Sequence, residues 1–238
     1  MQEIQIENVE IPVADGTKMG GYLARPSGAG PHPGLLVFQE IFGVNEHIRD
    51  IVRRFAAEGY VALAPDLFHR FAPGYQGSYE DIPASIAMAG KLVPEGIVAD
   101  FTAAAASLDA HAAVEKGRIG AIGYCMGGGM AFGANAVLPL KAAVSYYGTP
   151  PPEMQEQLAA TLHGPMLFVW AGNDAYITLE RRREVMDLVR KHGKPFAVAE
   201  WSEGSHGFFC DARSDHNVSA AKQAWALTLA FLAEHLGR

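Results

Sequence analysis

The sequence predicts one α/β domain, residues 1–238, in which helices cover both faces of a mostly parallel, twisted sheet. Apolar strand-like runs alternate with helical segments along most of the chain, and this alternation is typical of such sheets. The length of 238 residues, 49% of them hydrophobic, is sufficient for one sizeable core. No internal repeat or low-complexity linker divides the chain.

The first half of the sequence predicts a hairpin at the edge of the sheet, followed by strands and helices. Asp15–Gly16 is a turn signal within the hairpin before residue 25. Apolar runs predict strands at 34–40 and 60–67. The helix between these strands and the helix after them each repeat apolar residues at helical spacing, namely Ile48, Ile51, Val52 and Phe55, and then Ile97, Phe101, Ala105 and Leu108.

The second half continues the alternation. A strand at 117–125 leads into a glycine-rich turn and a helix at 129–138. Three more strands are predicted at 140–148, 165–174 and 196–207. A helix around Val185, Met186 and Val189 separates the last two strands, and a helix over 218–236 follows them.

Charge and composition exclude several classes of protein. Lys and Arg number 19 and Asp and Glu 26, which gives a formal charge of −7 and argues against a nucleic-acid partner. No apolar run approaches the ~18–20 residues that a membrane span needs. Residues 1–10 lack the basic and apolar regions of a signal peptide, so we expect a cytoplasmic protein. The two cysteines form no zinc-binding spacing, and we expect no metal or cofactor.

The stretch "GYCMGGG" at 123–129 places Cys125 between a predicted strand and a helix. The frame G-x-C-x-G is that of a hydrolase nucleophile turn with cysteine in place of serine. A helix N-terminus also favours the thiolate form of a cysteine. The alternative is a small buried residue in a glycine-rich turn, because free cysteines are commonly buried and inert.

Asp174 and His206 each follow a predicted strand, and with Cys125 they complete a possible triad. Alone, each has an ordinary interpretation: the aspartate as a turn former and the histidine as one of nine in the chain. Together they give Cys…Asp…His in chain order at the carboxyl ends of strands, where ligands bind in open sheets. Such a triad supplies a nucleophile, a proton carrier and a carboxylate that orients the imidazole.

Glu40 is a fourth candidate, at the end of the first predicted parallel strand. A carboxylate that faces a thiol can accept a hydrogen bond from S–H and keep the thiol neutral. The alternative is a charge at the protein surface close to the start of a helix.

The chain resembles the dienelactone hydrolase family, the carboxymethylenebutenolidases. The likeness runs from about residue 10 to the C-terminus, and six stretches carry it: "QEIFGVN" (39–45), "GYVALAPDLF" (59–68), "IGYCMGG" (122–128), "SYYG" (145–148), "AGNDAYI" (171–177) and "SHGFF" (205–209). The resemblance implies an α/β-hydrolase fold without a large cap domain. It also implies a triad of Cys125, His206 and Asp174.

The resemblance also implies roles for residues around the triad. Glu40 would hold the resting thiol turned away from the histidine and take its proton when substrate binds. The backbone N–H groups of Met126 and Ile41 would form the oxyanion hole. Phe42 and Tyr147 match positions that line the family's pocket, although plain core packing is an equal alternative for both rings.

The arginines depart from the family pattern. Known dienelactone hydrolases clamp a substrate carboxylate with two arginines, one of them four residues after the catalytic histidine. Here that position is Cys210, and the region from Phe71 to Gly117 has no arginine. Arg213 is a nearby substitute and Arg70 a more distant one. The departure puts a carboxylate-bearing substrate in doubt but not hydrolase chemistry.

The sequence therefore predicts a hydrolase that cleaves a lactone or a small carboxylic ester through an acyl-cysteine intermediate. Its partner would be the small-molecule substrate, with no nucleic acid and no membrane. The alternative is a non-hydrolytic protein on the same scaffold, either a thiol redox sensor or a ligand-binding protein, since reactive thiolates are also prone to oxidation.

Overall fold

The computed structural model of the chain describes residues 3–28 and 30–237. Residues 1, 2, 29 and 238, which belong to the predicted domain span, lie outside the described part. The chain forms two compact units, Met1–Gly120 and Ala121–Arg238. A single domain over 1–238 stays a prediction.

The elements alternate between strand and helix in the predicted manner. Up to the third helix they are β1 (Ile4–Pro12), β2 (Lys18–Pro26), β3 (His32–Phe38), α1 (Glu46–Ala57), β4 (Val61–Pro65), α2 (Ile82–Ala89) and α3 (Pro94–Ala110). The remaining ones are β5 (Val114–Tyr124), α4 (Met126–Val137), β6 (Ala143–Tyr146), α5 (Pro152–Thr161), β7 (Met166–Asn173), α6 (Leu179–Lys191), β8 (Phe196–Ser205) and α7 (Val218–Leu236).

The first unit contains the predicted hairpin. Strands β1 and β2 pair antiparallel, and Gly16 takes a φ of 85° in the turn between them. The strand order is β1-β2-β4-β3, with β2 antiparallel and β3 parallel to β4. Tyr22 contacts Arg53 of α1, whereas a β-carbon on Gly34 would contact Leu108 of α3. By the register, these positions alternate between faces, so α1 and α3 cover opposite faces of the sheet.

The second unit is built on parallel strands in the order β5-β6-β7-β8. On β6, successive side chains point to opposite faces. A β-carbon on Gly128 of α4 would contact the Ser145 hydroxyl, whereas the Tyr146 hydroxyl bonds to Thr228 of α7 at 2.7 Å. Helices therefore cover both faces here as well, which confirms the predicted mostly parallel α/β fold.

Two helices, α2 and α5, were not predicted from the sequence. Each is short and buries few side chains: Ser85 alone in α2, and Gln155 and Ala159 in α5. Without a buried apolar stripe, the hydrophobic periodicity that indicates a helix is missing.

The histidine of helix α1, His47, belongs to the buried face of that helix. It is buried in α1, with only 5% of its surface exposed. It lies one turn before Ile51, on the buried face, because residues four apart lie above one another on a helix.

Residues 3–28 and 30–237 include no large cap domain, as predicted, since only the short helix α2 and loops lie between β4 and α3. No single helix in this part of the chain has the length and apolar character to cross a membrane. Helices α2 and α3 together have that length and apolar character, but the chain bends by 87° at the break between them.

Candidate active site

Cys125 occupies a sharp turn between β5, which ends at Tyr124, and α4, which begins at Met126. Its backbone has φ 55° and ψ −120°, a conformation that L-residues rarely adopt. The turn is tight: a β-carbon on Gly123 would overlap the carbonyl oxygen of Gly127, and one on Gly148 would overlap that of Cys125. Only glycine fits at these two positions, so the turn presents Cys125 on a rigid strand–turn–helix element.

His206 and Asp174 are joined by a hydrogen bond. The distance between His206 Nδ1 and Asp174 Oδ2 is 2.9 Å, and the two side chains are nearly completely buried. The other carboxylate oxygen of Asp174 accepts bonds from the backbone N–H groups of Tyr176, at 2.8 Å, and Ile177, at 2.9 Å. These bonds fix the carboxylate, which in turn fixes the orientation of the imidazole ring.

A second hydrogen bond joins His206 to the side chain of Cys125. Because Nδ1 faces Asp174, Nε2 is the ring nitrogen that remains for the sulfur. The structure thus brings Cys125, His206 and Asp174 into one hydrogen-bonded series. The thiol faces the histidine in this structure, unlike the turned-away resting arrangement that the family resemblance implies.

The two partners control the charge of His206. Burial lowers the pKa of the imidazole, but the hydrogen bonds to Asp174 and Cys125 and the negative charges of both raise it to about 10. The net effect is upward because the Asp174 carboxylate and the two hydrogen bonds stabilise the buried cation. At neutral pH the imidazole of His206 is therefore protonated beside the Asp174 carboxylate.

Two tyrosine rings flank His206. Tyr147 is fully buried with its ring centroid 5.1 Å from that of His206, and it takes a φ of 38°. Tyr176 lies edge-on at 4.9 Å, with 53% of its surface exposed. Tyr147 was predicted to line the pocket, whereas Tyr176 was not predicted; its proximity to Asp174 in the chain was the available signal.

The N-terminus of α4 can accommodate negative charge beside Cys125. Met126 is the first residue of the helix, so its backbone N–H has no acceptor within the helix. The first turn contains no acidic residue, and the Cys125 side chain does not cap it. The positive end of the helix dipole is thus available where an oxyanion would develop.

The two candidate arginines are in different situations. Arg213 packs against Gly207, the residue after His206, where a β-carbon would lie 2.6 Å from Nη1, and it bonds to Asp215 at 3.3 Å. Arg70 instead binds Asp100 through two bonds of 2.7 and 2.8 Å and Asp15 at 2.8 Å. Arg70 is therefore already committed to carboxylates of its own unit and is a poor substitute clamp.

The remaining predicted residues lie together in the first unit, directly after β3. Glu40 is fully buried, and its carbonyl oxygen accepts a bond of 3.4 Å from Gly43 in a turn that contains Ile41 and Phe42. The Phe42 ring packs edge-on against Tyr79 at 4.6 Å. Burial of Glu40 is inconsistent with the alternative of a surface charge.

A mostly parallel sheet with a strained strand–cysteine–helix turn defines the class of α/β-hydrolase fold proteins. The dienelactone hydrolase family model matches residues 19–236. A Synechocystis protein named "putative carboxymethylenebutenolidase" is 32% identical over 87% of this chain and 88% of its own length. This chain belongs to the dienelactone hydrolase family.

Solved structures give the same result. A "putative dienelactone hydrolase" from Klebsiella pneumoniae has a TM-score of 0.88 and 32% identity, covering 97% of this chain and 99% of that one. A "dienelactone hydrolase-like promiscuous phosphotriesterase" from metagenomic libraries has a TM-score of 0.85 and 25% identity, with 98% of each chain covered. Membership of the family makes the protein a hydrolase of carboxylic esters or lactones, acting on a small-molecule substrate.

Proposed function

We propose that the protein hydrolyses its ester or lactone through an acyl-cysteine intermediate formed on Cys125. The observation that carries the proposal is the series Cys125–His206–Asp174, joined by hydrogen bonds and supported on a strained turn. The attacking species would be the Cys125 thiolate, formed when substrate binds and paired with the imidazolium of His206.

Acylation proceeds with His206 as the acid. The Cys125 sulfur attacks the carbonyl carbon, and the oxyanion of the tetrahedral intermediate accepts hydrogen bonds from the N–H groups of Met126 and Ile41. As the C–O bond breaks, His206 gives its proton to the leaving alkoxide. In a lactone the leaving oxygen stays attached to the acyl group as a hydroxyl.

Deacylation follows from the same electrostatics. Formation of the thioester removes the negative charge of Cys125, which is one of the causes of the raised pKa of His206. The pKa of the imidazole then falls toward its ordinary value, and His206 becomes a competent base for water. Water attacks the thioester carbon, the Cys125 thiolate leaves, and the carboxylic acid product departs.

The decisive experiment replaces Cys125 with alanine and measures hydrolysis of small aryl esters and lactones. We expect kcat to fall by at least about 10³-fold, because the nucleophile acts as a unit with its partners. Cys210→Ala is the matched control, since it removes the other thiol of the chain. Mass spectrometry of the quenched wild-type enzyme should find the acyl group on Cys125. Wild-type activity in Cys125→Ala would exclude the mechanism.

Glu40 is proposed as the group that suppresses thiolate formation before substrate binds, as the family resemblance implies. Its complete burial suits a group that acts inside the protein. Glu40→Gln should change the rate of iodoacetamide labelling of Cys125 and the pH dependence of that rate. Identical labelling of both proteins at every pH would rule out this role.

The cytoplasm, predicted from the sequence, is the proposed location of the enzyme. We further propose Arg213 as a group that can receive a substrate carboxylate, because its guanidinium packs against Gly207, the residue after His206. Comparison of an ester that carries a distal carboxylate with its neutral analogue tests this, since Arg213→Gln should raise KM for the first only. An equal effect on both esters would contradict it.

A further inference from the structure

Helix α1 carries three arginines, and two of them pair with carboxylates of the same helix. Arg53 pairs with Glu46 at 2.6 Å and with Asp50 at 3.3 Å, and Arg54 pairs with Asp50 at 2.6 Å. Arg49 makes no ion pair with any residue that the structure describes. A partly buried guanidinium without a carboxylate is unusual, because burying a charge is costly unless it is paired.

Arg49 is nevertheless held in a defined position. Its guanidinium carbon lies 5.6 Å from the centroid of the Tyr22 ring, a cation–π arrangement. Its Nε is buried and donates no hydrogen bond within residues 3–28 and 30–237. Tyr22 in turn accepts a bond from Arg53 at 3.3 Å, which restrains the ring. The guanidinium is thus oriented in advance for an acceptor that the described chain does not supply.

Arg49 lines a cavity of about 220 Å³, and all residues that line this cavity belong to the first unit. The volume is that of roughly seven water molecules at ~30 Å³ each, enough for a short-chain organic ligand. Gly20 and Ala64 are among the lining residues, and a β-carbon on Gly20 would meet no atom within 4 Å. The space above Gly20 is therefore open. None of the proposed catalytic residues lines the cavity.

Asp66 is a second ionisable residue that lines the cavity. Asp66 is 7% exposed, and each oxygen accepts one backbone bond: Oδ1 from Phe68 at 3.0 Å and Oδ2 from Gly74 at 2.7 Å. Burial raises the pKa of this carboxyl in spite of those bonds. Each oxygen keeps capacity for a further bond, so Asp66 can also bond to a ligand hydroxyl.

We propose that this cavity is a second ligand site, which binds a small hydroxycarboxylate with its carboxylate on Arg49 and its hydroxyl on Asp66. A guanidinium is suited to a carboxylate because its N–H groups match the two oxygens. Hydroxycarboxylates are the class of compound that lactone opening produces. The site would therefore bind the enzyme's own type of product, and this inference does not depend on which residue is the nucleophile.

The test is a titration of the ¹⁵N-labelled protein with 4-hydroxybutanoate, followed by NMR. We expect saturable shifts of the Gly20 and Gly74 amide signals in the millimolar range. Arg49→Gln should weaken binding about tenfold or more, as expected for the loss of a charge-assisted bond. Arg54→Gln is the control with the same charge change on the same helix. Butanoate and 1,4-butanediol, which lack one of the two groups, should both bind more weakly.

Filling the cavity gives an independent variant. Gly20→Ala is expected to fold, because space is available for the added carbon, and Gly20→Leu should occupy the cavity and abolish the shift of Gly74. Hydrolysis of a small aryl ester should be unchanged in each variant, which shows that the protein has folded. Equal affinity of Arg49→Gln and Arg54→Gln, or no saturable shift at Gly20 and Gly74, would overturn the proposal.

Discussion

Cys125 has a backbone conformation that opposes the folded state. At φ 55° and ψ −120° a residue with a β-carbon is strained by about 1–3 kcal/mol. The neighbouring glycines and the bond from Cys125 N–H to the Tyr146 carbonyl at 3.0 Å hold it there. The strain places the sulfur beside His206, so stability is lost at the residue that the proposed reaction requires.

Cys125→Gly is therefore expected to stabilise the protein while removing the proposed nucleophile. Relief of strain exceeds the extra unfolded-state entropy of glycine, about 0.5–1 kcal/mol, so the free energy of unfolding should rise by about 1 kcal/mol. Urea denaturation measures this change. Cys125→Ala is the control, because it keeps the β-carbon and the strain. A Cys125→Gly protein no more stable than Cys125→Ala would mean that the turn is unstrained.

At the scale of elements, helix α6 secures the end of strand β7, which precedes Asp174. Arg182 of α6 is 3% exposed and donates to the carbonyls of Ala171 at 3.1 Å and Gly172 at 3.4 Å. It also pairs with Glu200 of β8 at 3.0 Å. The pairing of β7 with β8 shifts register between Ala171 and Asn173, so the guanidinium satisfies carbonyls where the ladder is irregular.

Arg182→Met should lower the free energy of unfolding by roughly 2–3 kcal/mol, since buried carbonyls lose charge-assisted bonds. Urea midpoints measure the loss. Arg183→Met, on the exposed side of the same helix, should change stability little. Because Asp174 follows this strand end, kcat should also fall in Arg182→Met and not in Arg183→Met. Identical midpoints for the two variants would argue against this role of Arg182.

Elements with a buried apolar face were predictable from the sequence, and the others were not. The hairpin, α1 and α7 lie close to their predicted positions because turn chemistry or apolar spacing marks them. Helix α4 begins at Met126, three residues before its predicted start, because the glycines there weaken the helical signal although the folded turn accommodates them. Helices α2 and α5 bury too few residues to leave a pattern.

At the scale of the whole molecule, ionisable groups with shifted pKa values make the free energy of unfolding depend on pH in opposite directions. Hydrogen bonds from Arg25 lower the pKa of Glu7, and hydrogen bonds from Lys191 and His192 lower that of Glu156. These carboxyls stabilise the fold above their ordinary pKa of 4.5, and the contribution is lost as pH falls through the lowered values. Glu156 is exposed and Glu7 is partly exposed, so each contribution is small and depends on salt.

His206 acts in the opposite sense. Its pKa is raised from 6.5 to about 10, so its stabilisation is complete below pH 6.5 and is lost as pH rises toward 10. The free energy of unfolding should thus be greatest between about pH 4.5 and 6.5. Urea midpoints from pH 3 to pH 10 test this, with His206→Gln expected to flatten the alkaline decline. An alkaline decline of equal size in His206→Gln would show that another group causes it.

The sequence by itself determined the alternation of strands and helices, the family, and the residue types at the strand ends. These are local properties: periodicity, turn residues and short motifs are present before the chain folds. Only the tertiary structure decided that Asp174 and His206, 32 positions apart, share a hydrogen bond and that Arg70 is paired with Asp100. It also placed His47 inside the fold and left Arg49 facing a cavity. Distance between side chains depends on how distant segments pack, and no local pattern encodes it.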